Sequence, residues 1–176
     1  MKIISGYLGG RSFSSNSNTT HPMSEKMRGA LFNALGDIVG LQIMDAFSGS
    51  GALSFEAISR GAAKVVAVES NKSAQKDIAE NIKTLNLASK VKLIKGPVLG
   101  YIKTSPNSIF DVILADPPYE KLQMDTLLAL EGRINGGGVM VLSFPPEQSL
   151  PEYKLLENLS EKDYGDSRLV FYRKPK

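Results

Sequence analysis

From residue 41 onward, short unbroken apolar runs alternate with stretches whose apolar positions recur every three or four residues. The runs 41–46, 64–69, 91–95, 109–115 and 139–143 predict strands, and their lack of polar alternation is that of strands buried on both faces. Between them, 52–60, 73–85 and 122–130 have helical spacing, the second capped by Asn71 and stopped near Asn86. Such alternation predicts an α/β domain, a mostly parallel sheet with helices on both faces. The ends of the chain differ. Residues 153–159 and 169–172, joined by a polar stretch with Gly165, predict an antiparallel pair at one edge, making seven strands. At the other end, 2–6 and 11–13 predict a small hairpin around Gly6, Gly9 and Gly10, and 14–20 a mobile loop. Ser24 then caps a helix with apolar Met27, Ala30, Leu31, Ala34 and Leu35, ended by Gly36. The expected organisation is an N-terminal extension, 1–36, packed on one domain, 37–176.

In open sheets of this kind ligands lie outside the carboxyl ends of the strands, and three of those ends carry unusual residues. The first gives Asp45-Ala-Phe-Ser-Gly-Ser-Gly51, where Gly49 and Gly51 let backbone approach a ligand at a helix start. The second gives Glu69, placed to accept hydrogen bonds from a ribose diol. A nicotinamide enzyme shares both features, yet Ser54 stands at the third fingerprint position, and Asp45 is poorly placed beside a pyrophosphate. A cationic ligand suits Asp45 better.

The third end is Phe110-Asp-Val-Ile-Leu-Ala-Asp-Pro-Pro-Tyr119. Neither Pro117 nor Pro118 has an N–H, and each holds its predecessor extended, so the ladder stops at a stiff elbow. Asp116 and the Pro117 carbonyl become two acceptors close together, with the Tyr119 ring just beyond. That group suits the planar amine of a nucleobase: acceptors holding both N–H bonds would turn the lone pair towards an electrophile, and Tyr119 could stack on the base. A strand ending in a proline turn, with Asp116 as a cap, has the same pattern.

Composition narrows the chemistry. The 176 residues, 42% hydrophobic, are enough for one core. Absent cysteine excludes disulfides, thiolate nucleophiles and Cys-based metal sites, and His21 is the single imidazole, so no metal is expected. No apolar run approaches the ~20 residues of a membrane span, and an intracellular protein is expected. The charge of +3 is uneven: Lys2, Arg11, Lys26 and Arg28 against Glu25 place all of the excess in the first 28 residues. A basic leader suits a polyanionic partner, with Arg11, Lys26 and Arg28 as candidate phosphate contacts, although four cations are also an ordinary solvated surface.

The Asp45–Gly51 loop, Ala57-Ile-Ser-Arg-Gly61, Glu69 and Asp116-Pro-Pro-Tyr119 together resemble the class I S-adenosylmethionine-dependent amino-methyltransferases. Ile3-Ile-Ser-Gly6, His21-Pro22 and Arg28-Gly-Ala-Leu-Phe-Asn33 narrow the resemblance to the bacterial RsmD type, which methylates the guanine N2 amine of small-subunit ribosomal RNA. It implies a Rossmann-like class I methyltransferase fold and S-adenosylmethionine as donor. The partner it implies is ribosomal RNA, within a small subunit or an assembly intermediate, for a cytoplasmic monomer. By similarity Asp45, Phe47, Gly49 and Gly51 line the methionine and sulfonium end of the donor, and Glu69 its ribose. Asp116 and Pro117 take the guanine N2, Tyr119 its ring, and Pro118 the substrate side. The chain departs from the family pattern at His21, Met23 and Gly29, and has Gly96-Pro97-Val98 where an acid is usual. A DNA amino-methyltransferase and a non-catalytic adenosylmethionine-binding assembly factor share the same motifs.

Overall fold

The computed structural model describes residues 1–15 and 22–176, so the loop expected at 14–20 falls largely outside the described residues, and His21 wholly so. Seven strands form one sheet: β1 (Gln42–Asp45), β2 (Lys64–Glu69), β3 (Val91–Lys95), β4 (Phe110–Ala115), β5 (Ile134–Phe144), β6 (Glu157–Asp163) and β7 (Arg168–Arg173). Their order is β3-β2-β1-β4-β5-β7-β6. Pairing is parallel throughout except at β7, which is antiparallel to both neighbours.

The helices are α1 (Glu25–Leu35), α2 (Ala52–Ser59), α3 (Lys72–Thr84), α4 (Val98–Thr104) and α5 (Met124–Ala129). Because successive side chains of a strand point to opposite faces, the apolar runs supply two cores. On one face Ile43, Val65, Ala67, Val112, Leu114, Val141 and Leu169 meet α1, α2 and α3. On the other, Met44, Val68, Ile113, Ala115, Met140 and Leu142 meet α4 and α5. Burial on both faces is why these strands read as continuous apolar runs.

Several expected bounds move. Helix α4 has no counterpart in the sequence reading: Pro97 precedes it and Gly100 interrupts its seven residues, leaving too short a pattern. The helix expected at 122–130 is confined to α5, because the chain after Pro118 first makes a 3₁₀ turn, Tyr119–Lys121, and Leu122 is extended. Strand β5 starts before the expected 139 and takes in Gly136–Gly138, where the register with β4 shifts from Phe110↔Ile134 to Val112↔Val139. The edge strand lies later than the apolar residues at 153–159 suggested. Tyr153 and Leu156 pack against the second core, and the paired segment is the exposed 157–163. A strand facing water on both sides has no apolar signature to find.

The leader is stitched to the domain. Lys2 and Ser12 form an isolated antiparallel bridge, and Glu56 on α2 accepts from Ile4 N at 2.7 Å and Ser5 N at 3.1 Å. Leu8 N donates to Ser59 Oγ, and Ser14 N to Asn81 Oδ1 on α3. Gly6 makes the close approach: a Cβ there would lie 1.8 Å from the Ser59 carbonyl oxygen. Helix α1, capped by Ser24 through Met27 N, buries Met27, Leu31 and Phe32 in the first core. Arg28 lies against Glu56, and Phe32 and Asn33 against Arg60, so α1 and α2 run in the same direction. The start of α1 is therefore level with the start of α2, at the carboxyl ends of the strands.

Candidate active site

Strand alternation puts Glu69, Asp45, Asp116 and Ser143, at the ends of β2, β1, β4 and β5, on the face shared with α1, α2 and α3. Register sets their depth. Asp45 pairs with Ala67 and Leu114, two residues below Glu69 and Asp116, while Ala115 pairs with Leu142, so Ser143 is level with Asp116. The result is a polar row across four adjacent strands, with Asp45 at its floor.

Asp45 is 0% exposed. Its Oδ2 accepts from Ser54 Oγ at 2.6 Å, whereas Oδ1, equally buried, has no hydrogen-bond partner among the described residues. Burial pushes its carboxyl up to about 7, the Ser54 hydroxyl opposes this, and Asp116 and Glu69 add repulsion. A buried acceptor left bare costs free energy unless something donates to it, and the acidic surroundings select a cation.

The glycine loop forms the wall above it. Ser48 Oγ donates to Asp45 O at 3.0 Å, and Gly49, at φ 51°, donates its N–H to Glu69 Oε2 at 2.6 Å. Gly51, at φ 80°, opens α2 with no side-chain cap, and a Cβ there would meet the Phe55 ring at 2.8 Å. Glu69 Oε1 accepts from Asn71 N at 2.6 Å. Each Glu69 oxygen thus makes one backbone bond and keeps a second acceptor site for a ligand hydroxyl. Phe47, half-buried, packs on the opposite core.

Asp116 sits partly open above the Asp45 floor, and burial pushes its carboxyl up to about 6, opposed by the Ser143 hydroxyl. Pro117 is buried and Pro118 exposed; among the described residues no donor reaches the Pro117 carbonyl. The Tyr119 hydroxyl lies 2.5 Å from Ser143 Oγ. The Tyr119 ring is half-buried, and the Ser167 hydroxyl from the β6–β7 turn also reaches its phenol.

The family described as conserved hypothetical protein 95 matches residues 1–173. Ribosomal RNA small subunit methyltransferase D of Buchnera aphidicola is 37% identical over 134 residues, covering 74% of this chain and 70% of that one. YlbH of Bacillus subtilis is 29% identical over 182 residues, covering 99% of each. The chain belongs to the RsmD/YlbH family. The solved structure of yhhF from Escherichia coli superposes with TM-score 0.88 at 24% identity, covering 99% of this chain and 98% of that one, and shows the shared class I methyltransferase fold.

Within this RsmD/YlbH protein the predicted donor-side residues Asp45, Gly49, Gly51 and Glu69 are brought together at the carboxyl ends of β1 and β2, and Asp116, Pro117 and Tyr119 follow the end of the adjacent β4. The three leader cations are not brought together. Arg28 is a correction: it is 0% exposed, donates to Lys2 O at 2.7 Å and lies 3.8 Å from Glu56, so it builds the core and cannot reach a phosphate. Arg11 is also displaced, because its guanidinium reaches Thr84 O at 3.5 Å at the far end of α3, away from the strand ends. Only Lys26, exposed in the first turn of α1, lies on the side of the site. The sequence reading noted Ser54 only as a departure from the dinucleotide fingerprint, not as the partner of Asp45, and missed Ser143. Both were visible as lone hydroxyls inside apolar stretches, Leu53-Ser-Phe55 and Leu142-Ser-Phe144, where an unsatisfied polar group is costly.

Proposed function

We propose that this protein transfers a methyl group from S-adenosylmethionine to the exocyclic N2 amine of a guanine in small-subunit ribosomal RNA. The observation that carries the reading is the pairing of two acceptors, the Asp116 carboxylate and the Pro117 carbonyl, with the bare Asp45 Oδ1 at the end of the adjacent strand. The residues present fit the donor. Asp45 would hold its cationic end, the Gly49–Gly51 backbone would lie along it, and Glu69 would accept from its ribose hydroxyls. When bound, the donor supplies an electrophilic methyl carbon on a sulfonium.

The chain's own part is positioning and charge. The lone pair of a guanine amine is delocalised into the ring, so the site must hold the nitrogen within about 3–3.5 Å of its target in a reactive pose. Asp116 and the Pro117 carbonyl accept its two N–H bonds, and both interactions strengthen as positive charge develops on nitrogen. Tyr119 offers a stacking surface that offsets the loss of base stacking. The RNA assignment is supported by the name of the Buchnera relative and by the leader match. Unmethylated small subunits incubated with labelled donor should gain one methyl group on a guanine N2, read by mass spectrometry. Asp116→Ala should lower turnover at least ~10³-fold while donor affinity stays within about twofold. Label entering DNA but not ribosomal RNA would overturn the RNA assignment, and equal loss of turnover and donor affinity would overturn the role of Asp116.

A further inference from the structure

Of the four side chains in the polar row, Ser143 is the one without a role in holding either reactant. It is 2% exposed, in a strand segment otherwise made of Met140, Val141, Leu142 and Phe144. A hydroxyl in such a place must be satisfied by the protein, and here the Tyr119 hydroxyl satisfies it. Its Oγ lies 2.5 Å from the Tyr119 hydroxyl, and the β4–β5 register puts it level with Asp116, whose carboxylate it stabilises. With Tyr119 O–H donating to Ser143 Oγ, the Ser143 proton is free to turn towards the neighbouring Asp116 carboxylate, leaving the other Asp116 oxygen for the amine.

We infer that Ser143 is a positioning residue of the methyl-transfer site, tying the Tyr119 ring and the Asp116 carboxylate together so that ring plane and acceptor are set before the base arrives. The inference rests on the proposed role of Asp116 and adds to it a residue on a different strand. The ionisable groups facing Asp116 are Asp45 at the end of β1 and Tyr119 on its own segment; Glu69 at the end of β2 lies behind Asp45, and Asp166 in the β6–β7 turn beside Tyr119. None of these is a cation, so the Ser143 hydroxyl is the main group favouring the ionised form.

The test is Ser143→Ala with Tyr119→Phe, the double variant and Asp116→Ala, all in the full chain with unmethylated small subunits and saturating donor. Ser143→Ala should lower kcat about tenfold and move the acid limb of the kcat profile up by about one pH unit, with donor affinity within twofold. Because both substitutions cut the same link, the double variant should be no worse than Ser143→Ala alone. The midpoint of the Asp116 carboxyl, followed by ¹³C NMR without substrate, should rise by a similar amount in Ser143→Ala. An unmoved limb and midpoint, with losses that multiply, would leave Ser143 as packing only and overturn the inference. Full turnover by Asp116→Ala would instead sink the reading of the site, and the NMR midpoint would still decide whether Ser143 acts on Asp116.

Discussion

Two buried acids, eleven residues apart and both 0% exposed, show opposite ways of keeping a carboxylate inside this protein. Glu56, near the end of α2, is saturated: it accepts from Ile4 N, Ser5 N and Arg60 Nε, with Arg28 beside it. Asp45, at the end of β1, accepts from Ser54 on one oxygen and, among the described residues, has no hydrogen-bond partner on the other. Saturation makes the first a fastening between leader and helix. Under-satisfaction of the second fits the donor-binding role proposed for it.

The largest effect should come from breaking the fastening. Glu56→Gln strands the buried Arg28 charge, whose pKa burial already lowers, and should cost about 3–5 kcal/mol in urea unfolding. Donor affinity of the folded protein should stay within twofold; a fall like that of a site residue would erase the distinction.

Asp45→Asn should do the reverse. Burial pushes its carboxyl from the ordinary 3.8 up to about 7, so between these values the folded state holds a proton that the unfolded state has lost. Its contribution to stability is then present at low pH, falls as pH rises from about 4 to about 7 and is flat beyond. The neutral amide escapes that loss. The variant should be more stable by ~1–3 kcal/mol at pH 8 and unchanged at pH 4, in urea melts at both. Donor affinity should drop about 10–100-fold. In the wild type, affinity should weaken below pH 7, where a cation would have to displace a proton, and in the variant this dependence should vanish. A variant destabilised at pH 8 would mean that Asp45 is a fastening too.

The smallest effect separates the two ends of the leader. Lys26→Ala should reduce the slope of log affinity for ribosomal RNA against log salt by about one, and Arg11→Ala should leave it unchanged. Equal changes would place the RNA across both ends.

The contrast also marks what the sequence could reveal. Strands buried on both faces and helices with regular spacing were legible because burial dictates composition, and 64–69 and 91–95 match β2 and β3 end to end. Asp45, Glu69 and Asp116 were legible as carboxylates at the ends of apolar runs. Arg28 was not, because a cation reads as surface unless its partner is known, and Glu56 lies 28 positions on. Ser143 stood out as a lone hydroxyl in an apolar run, but its neighbours Asp116 and Tyr119 are set by the register between β4 and β5, which no single stretch encodes.

The acceptors for the peptide N–H groups of Ile4 and Ser5 lie on a side chain 52 and 51 positions downstream. During synthesis residues 4 and 5 therefore have nowhere to dock until α2 has followed them out and folded. The leader can be fastened only after that helix has formed, and a product ending before Glu56 would lack the acceptor for both N–H groups.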